Sequence, residues 1–291
     1  YSLNVLVSDG TTTTTEAIVV NITNVNDNSP VLSVATPYSV AEGTTAVGTV
    51  TTTDADAGAT FTYTLSGTDA ADFEITKTEG TQAGVLVFKA ASTPDFETQT
   101  SYSLNVVVSD TSNTDTQAIV VNITNVNDNN PVFTSSTSES INEGQTSVST
   151  VEAGDADGNT IAYSIDSTGR EDYALFSIDT STGALTMTAP DFESPTDTFG
   201  TDGDNVYGVT VKATDNGTPA RTATHDISVT VVNVNEKPVI TSSATFNQDE
   251  NKAISNAAAD VTPTDPDGAG SFTHSIVGGA DETKFTINSV T

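Results

Sequence analysis

The oxygen-bearing residues of this chain recur in matched groups, and they suit one kind of chemistry. Asn24-Val25-Asn26-Asp27-Asn28-Ser29-Pro30 returns 101 residues later as Asn125-Val126-Asn127-Asp128-Asn129-Asn130-Pro131. An altered copy, Asn233-Val234-Asn235-Glu236-Lys237-Pro238, follows 108 residues after that. Two further groups keep step with it. Asp54-Ala55-Asp56 returns as Asp155-Ala156-Asp157 and again as Asp265-Pro266-Asp267-Gly268, and Asp95-Phe96-Glu97 returns as Asp191-Phe192-Glu193. Carboxylate, amide and peptide oxygens together suit a hard cation such as Ca2+, which takes roughly six to eight oxygen ligands in loose geometry. An oxygen-rich linker that ends in proline is a joint such an ion would stiffen.

The segments that must carry these loops read as strands. Tyr1, Leu3, Val5 and Val7 fall at alternate positions, with Ser2 and Asn4 between the first three, until Ser8-Asp9-Gly10 breaks the run, and Ala17 to Ile22 forms a second β-rich run leading into the linker. The same pair recurs at Tyr102 to Val108 with Ala118 to Ile123, and at Tyr207 to Ala213 with Ile227 to Val232. Short β-branched runs with regular turn signals and no helical stripe predict an all-β fold. The period is too long for a solenoid unit and suits one independent domain, so the expectation is tandem seven-stranded Greek-key β-sandwich domains arranged end to end. Helix is expected only as single turns near 69–73 and 171–176. Pro30, Pro131 and Pro238 follow the linkers, where a fixed φ and a missing donor suit the start of a domain. The expected parse is a partial repeat over 1–27, complete repeats over 28–128 and 129–236, and the N-terminal part of a further repeat over 237–291. A window on a longer chain explains the two partial ends. The alternative is that neighbouring subunits complete each other's end domains and form a filament.

Charge narrows the partners. Against 39 acids there are 8 Lys and Arg, a net charge of −31. Phosphate binding needs a basic face, so nucleic acid is excluded, and an anionic membrane surface repels the chain. No cysteine is present, so no disulfide staples these domains. There is neither a signal peptide nor an apolar run long enough to span a bilayer. Two histidines and no cysteine argue against zinc or iron and for calcium. No Ser/His/Asp grouping or phosphate loop recurs, and a carboxylate-pair glycosidase normally needs an aromatic cleft, whereas this chain has no Trp and 6% aromatic residues. An enzyme is not expected.

Taken together the motifs resemble tandem cadherin repeats of the kind found in large bacterial surface proteins. The resemblance implies joints that each bind about three calcium ions. It assigns Glu42, Asp95 and Glu97 above the central joint, the Asn127 carbonyl with Asp128 and Asn129 between, and Asp155, Asp157 and Asp215 below. The outer joints are less complete. One has Asn26, Asp27, Asn28, Asp54, Asp56 and Asp110; the other has Glu143, Asp191, Glu193, Asn235, Glu236, Asp265 and Asp267. In the latter Glu236 stands where aspartate stood and Lys237 where asparagine stood, so fewer or weaker ions and a more flexible joint are expected. Phe176-Ser177-Ile178-Asp179 followed by Thr182-Gly183-Ala184-Leu185 also matches the family's mid-domain strand and turn.

Electrostatics agrees with this assignment. Seven carboxylates at the central joint nearly balance three calcium ions. Without metal, carboxylates ~4 Å apart repel by about 1 kcal/mol per pair even at water's dielectric constant. The expected function is a calcium-stiffened extracellular or cell-surface stalk of an adhesin or matrix fibre, working with adjacent repeats of the same chain. The alternative is recognition of a polysaccharide or cell-surface protein by the sandwich loops or faces, with Tyr38, Tyr63 and Tyr173 as candidates for an aromatic platform.

Overall fold

The structure is a computed structural model that describes residues 1–78, 81–247, 250, 261–268 and 270–287. The expected last repeat, 237–291, therefore lies partly outside the described residues. The chain divides into two compact units, Tyr1–Val126 and Asn127–Thr291.

The first unit opens with a hairpin of β1 (Ser2–Ser8) and β2 (Thr13–Val19), in register from Ser2 opposite Val19 to Ser8 opposite Thr13. At its tip the Asp9 carboxylate accepts the N–H groups of Thr11 and Thr12 at 2.8 and 2.7 Å. Those backbone bonds, with the Thr12 hydroxyl, lower its pKa to about 2.

The strands that follow are β3 (Val31–Ser33), β4 (Tyr38–Ala41), β5 (Ala46–Thr53), β6 (Thr62–Ser66), β7 (Phe73–Lys77), β8 (Ala83–Phe88), β9 (Ser101–Ser109) and β10 (Thr114–Thr124). They form two sheets, in the orders β3-β5-β8-β7 and β4-β10-β9-β6. Eight strands stand where seven were expected, because the first is split. Pro37 lies in the break and has no N–H to donate, so β3 pairs in one sheet and β4 in the other. Alternation sends Tyr102, Leu104, Val106 and Val108 of β9 inward to meet Ile119, Val121 and Ile123 of β10, all buried. Phe73, Phe88 and Tyr102 close this core, with ring centroids 4.2 to 5.7 Å apart.

The second unit repeats the scheme with β11 (Val132–Phe133), β12 (Ser138–Asn142), β13 (Ser147–Thr150), β14 (Ala153–Gly154), β15 (Ile161–Ile165), β16 (Phe176–Ile178), β17 (Ala184–Met187), β18 (Val206–Asp215) and β19 (Thr222–Val232). One sheet runs β12-β19-β18-β15, the other β13-β17-β16, and β11 pairs with β14. Beyond it β20 (Val239–Ile240) pairs with β21 (Pro263–Thr264) as β11 pairs with β14. The expected helical turns are present as short 3-10 segments at Ala70–Asp72 and Glu171–Leu175.

One feature of this unit is not in its predecessor. The stretch from Glu193 to β18 is longer than that from Glu97 to β9, and it packs back onto β18. Asp172, 3% exposed, accepts the N–H of Thr198 and of Gly208. A Cβ at Gly208 would come within 2.5 Å of the Phe199 ring, so the missing side chain is what lets Phe199 sit there.

Gly183 gives a sharper test of the mid-domain turn. Its φ is +70°, and a Cβ would come within 2.1 Å of the Val151 carbonyl oxygen. The Gly183 carbonyl meanwhile accepts the Val151 N–H at 2.9 Å. Strain at positive φ and the backbone clash act together, so Gly183→Ala should destabilise the protein by about 2–4 kcal/mol. Urea unfolding of both proteins measures this, and a difference below about 0.5 kcal/mol would contradict the geometry.

Strand register also explains how distant acids reach the linkers. Parallel pairing sets Ala41 beside Thr124, so that Glu42 stands beside the start of the following linker, and the Glu42 N–H donates to the Thr124 carbonyl at 3.1 Å. In the second unit Asn142 pairs with Val232, and the Glu143 N–H donates to Val232 at 3.0 Å. The Asp-x-Asp groups follow the ends of β5, β14 and β21, and the later aspartates, Asp110 and Asp215, stand at the ends of β9 and β18.

Candidate metal centre

The second unit contains one acidic centre whole. Carboxylate oxygens of Glu143, Asp191 and Glu193 lie within 4.8 Å of one another, and so do those of Glu193, Glu236 and Asp267. Glu143 is held from both sides by N–H groups, Phe192 at 3.0 Å and Val234 at 2.5 Å. Asp191 accepts the N–H of Glu193 and of Ser194, and the Asn233 amide donates to Glu193 at 2.7 Å. Asp265 stands behind the centre, where it accepts the Asp267 N–H at 3.0 Å. The Asn235 side chain turns aside to the Glu236 carbonyl.

The linker at this centre is one residue shorter than its copies, which changes the reading of Lys237. In the longer linkers the N–H of Asn28 donates to Asp56 and that of Asn129 to Asp157, at 2.8 and 2.9 Å. Here the N–H of Glu236 makes the bond, to Asp267 at 2.6 Å. Glu236 thus takes the backbone role of the asparagine while its side chain joins the carboxylates. Lys237 is left exposed, next to the proline.

Within the first unit Asn26, Asp56 and Asp110 line a cleft of about 150 Å³. The Asn26 amide donates to the Asp110 carbonyl at 3.2 Å, and the Asn28 amide bridges Asp27 and Asp56. Asp54 accepts the Asp56 N–H at 2.8 Å. The Asn113 N–H, foremost, with that of Ser112, holds the Asp110 carboxyl below its ordinary pKa against the opposing effect of burial. Glu42, 6% exposed, accepts the N–H of Phe96 and of Val126, as Glu143 does in its own unit. Asp95 accepts the N–H groups of Glu97 and Thr98.

The second unit's own share of the Asn127 linker set is built alike. Asn129 bridges Asp128 and Asp157, and Asp155 accepts the Asp157 N–H. The Asn127 amide donates to both Asp215 oxygens, at 3.3 and 3.2 Å. Gly217 makes room for it, since a Cβ there would come within 2.1 Å of Asn127 Cγ. Burial opposes ionisation of Asp215, but the N–H groups of Arg221 and Gly217, the Asn127 amide and the Arg221 charge outweigh it and lower its pKa. Sequence reasoning missed Asn113, Asn159, Gly217 and Arg221. Arg221 carried a readable signal, being one of 8 basic residues and lying six residues past an expected ligand.

These residues fit a divalent cation. Side-chain oxygens of Asn26, Asp54, Asp110, Asp155, Glu193 and Glu236 are buried without a hydrogen-bond partner, an arrangement a folded protein ordinarily avoids. Burial, with the charges of neighbouring acids such as Glu143, raises the pKa of Glu193 and of Glu236, so the gathered carboxylates resist being charged together. An oxygen-only donor set of this flexibility suits calcium better than magnesium or zinc.

Acid-bearing loops at the strand ends of β-sandwich repeats are the features that this chain shares with known proteins. Residues 137–232 match the family described as Cadherin domain. The human Protocadherin Fat 1 is 30% identical over 95% of this chain, which spans 6% of that protein. The human Cadherin EGF LAG seven-pass G-type receptor 2 is 30% identical over 99% of the chain, which spans 10% of it. The chain is thus a small part of the length of the curated relatives it matches. Among solved structures, the extracellular cadherin domains 1-5 of Protocadherin Gamma B2 are 25% identical over 81% of this chain and 46% of that one, with a TM-score of 0.60. Protocadherin Gamma C5 EC1-3 gives 25%, 79%, 77% and 0.60. These matches support cadherin repeats, and such repeats are extracellular or cell-surface segments. Among the described residues no helix is long and apolar enough to cross a membrane.

Proposed function

We propose that the chain is a calcium-dependent stalk or adhesion segment, in which Ca2+ bound at the linkers rigidifies a long surface protein. The observation that carries this reading is the centre of Glu143, Asp191, Glu193, Glu236 and Asp267, whose acids come from separate strand ends and leave buried oxygens on Glu193 and Glu236 unpartnered. Glu143, Asp191, Glu193, Glu236 and Asp267 would hold the ion there. Asn26, Asp54, Asp56 and Asp110 in the first unit, and Asn127, Asp155, Asp157 and Asp215 in the second, would hold one ion each. The ion would neutralise the carboxylates and tie strand ends to linker. Its role is structural, and the partners are adjacent repeats of the same long chain.

Recognition by an aromatic platform gains nothing from the structure. Tyr38 is buried and Tyr63 packs on the core with its hydroxyl on Thr52, which leaves Tyr173 at 40% exposure as the one exposed tyrosine of the three.

Calcium titration by calorimetry, with small-angle scattering in calcium and in chelator, tests the proposal. Saturable binding at ~0.1–1 mM, as is typical of extracellular modules, and a particle that stiffens with calcium are expected. Heat that never saturates, with a scattering curve indifferent to chelator, would reduce the acids to surface charge.

A further inference from the structure

The two sites that lie within single units, alike in sequence, differ in how far the protein satisfies them by itself; the first repeat is the one that carries Asp54 and Asp110, and the second the one that carries Asp155 and Asp215. In the first repeat Asn26 Oδ1, Asp54 Oδ2 and Asp110 Oδ2 are all buried and unpartnered, and Asp110 is 2% exposed. In the second repeat only the Asp155 Oδ2 atom of the equivalent set is left so. Asn127 Oδ1 accepts from the Asn159 amide. Asp215 Oδ1 accepts the Gly217 N–H at 2.9 Å and Asp215 Oδ2 the Arg221 N–H at 3.0 Å, besides the Asn127 amide.

The residue that separates the sites is Arg221. Its carbonyl accepts the Asp215 N–H, as the Asn113 carbonyl accepts that of Asp110, so the two occupy the same place in their repeats. The Asn113 side chain donates to the Asn28 carbonyl at 2.9 Å and brings no charge. The Arg221 side chain reaches the same kind of target, with Nε donating to the Asn127 carbonyl at 2.8 Å and Nη1 near Asn130 Oδ1 at 3.4 Å. The Asn127 carbonyl is the atom that the family pattern assigned to calcium.

We propose that Arg221 is a resident cation that does part of calcium's work in the second repeat. It braces residues 127–130 against the Asp215 loop without metal, and it makes the Asp155 site bind calcium more weakly than the Asp54 site of the first repeat. A guanidinium and a divalent ion roughly 6 Å apart repel enough, even at water's dielectric constant, to weaken binding about tenfold. The chain would then hold sites of graded calcium affinity, with Arg221 setting the weaker one. This inference rests on the calcium reading above.

The test uses the whole 291-residue chain, titrated with calcium chloride by calorimetry. Asp54→Asn and Asp155→Asn identify which step of the isotherm belongs to which repeat. The step lost in Asp155→Asn should be the weaker of the two. Arg221→Asn, which installs the first repeat's residue, should tighten it about tenfold, while Arg221→Lys, which keeps the charge, should leave it unchanged. The reciprocal Asn113→Arg should weaken the Asp54 step by a similar factor, and so covers the case in which an Arg221 variant folds poorly. In chelator, protease should nick residues 24–30 before residues 127–131, and Arg221→Asn should remove that order. Two steps of equal affinity, or an Arg221→Asn isotherm that overlays the wild type, would overturn the proposal while leaving calcium binding intact. A wild-type chain that binds no calcium overturns the calcium reading and this inference with it.

Discussion

Chelating calcium should lower the midpoint of thermal unfolding by about 12–24 °C. A ligand that binds only the folded state stabilises it by about 2.7 kcal/mol at a hundredfold excess over its dissociation constant. With sites of ~0.1–1 mM and calcium at ~10 mM, each ion contributes about 1.4–2.7 kcal/mol. One or two ions per repeat give about 3 kcal/mol, and each kcal/mol moves the midpoint by about 4–8 °C for a domain of this size. The chain has no cysteine to limit the loss with a disulfide. Its net charge of −31 makes the metal-free state self-repelling, and added sodium chloride should recover part of the shift by screening. Calorimetric scans in calcium, in chelator, and in chelator with salt measure all three terms. Equal midpoints in calcium and chelator would mean that the unpartnered oxygens are met by water.

Glu143→Gln should show the second large effect, and its size depends on metal. Glu143 offers one oxygen to Phe192 and the other to Val234. The amide keeps one acceptor and turns a donor toward the other N–H, losing a charge-assisted bond of about 1.5–3 kcal/mol. In chelator this loss is offset, because the charge removed was repelling Asp191 and Glu193 by about 1 kcal/mol for each. The chelated variant should therefore lie within about 1 kcal/mol of the chelated wild type. In calcium no repulsion remains to be relieved, and an ion loses a carboxylate. There the variant should be less stable by about 2–3 kcal/mol and bind calcium at least ~10-fold more weakly. Denaturant unfolding in the two buffers separates the cases. A loss of equal size in both would make Glu143 a purely structural staple.

Much of the fold was legible because the strand pair that closes each repeat is written three times in the sequence. Leu104, Val106 and Val108 are buried where the pattern placed them. Pro37 carried the signal for the split first strand, yet sequence alone does not say that the chain will change sheets there, since that depends on which neighbour offers acceptors. The acidic groups were legible for the same reason as the strands, as copies in register. Their completeness was not. The third linker is one residue short, and only the bond from the Glu236 N–H to Asp267 shows that its backbone replaces an asparagine and leaves Lys237 outside. Arg221 carried only a charge signal; its place beside the Asn127 carbonyl was not legible, because the two lie 94 residues apart in sequence and meet only in the folded unit.

By itself, then, the sequence determined the repeat, the β class, the acidic charge and the oxygen-rich groups of its loops. All are properties of residue type and spacing, which local propensity and electrostatics translate directly. The tertiary structure alone decided which oxygens are left without partners, which acids converge, and that Arg221 reaches the Asn127 carbonyl. Those depend on parallel register between β4 and β10 and between β12 and β19, and on burial, which exist only once distant strands have packed.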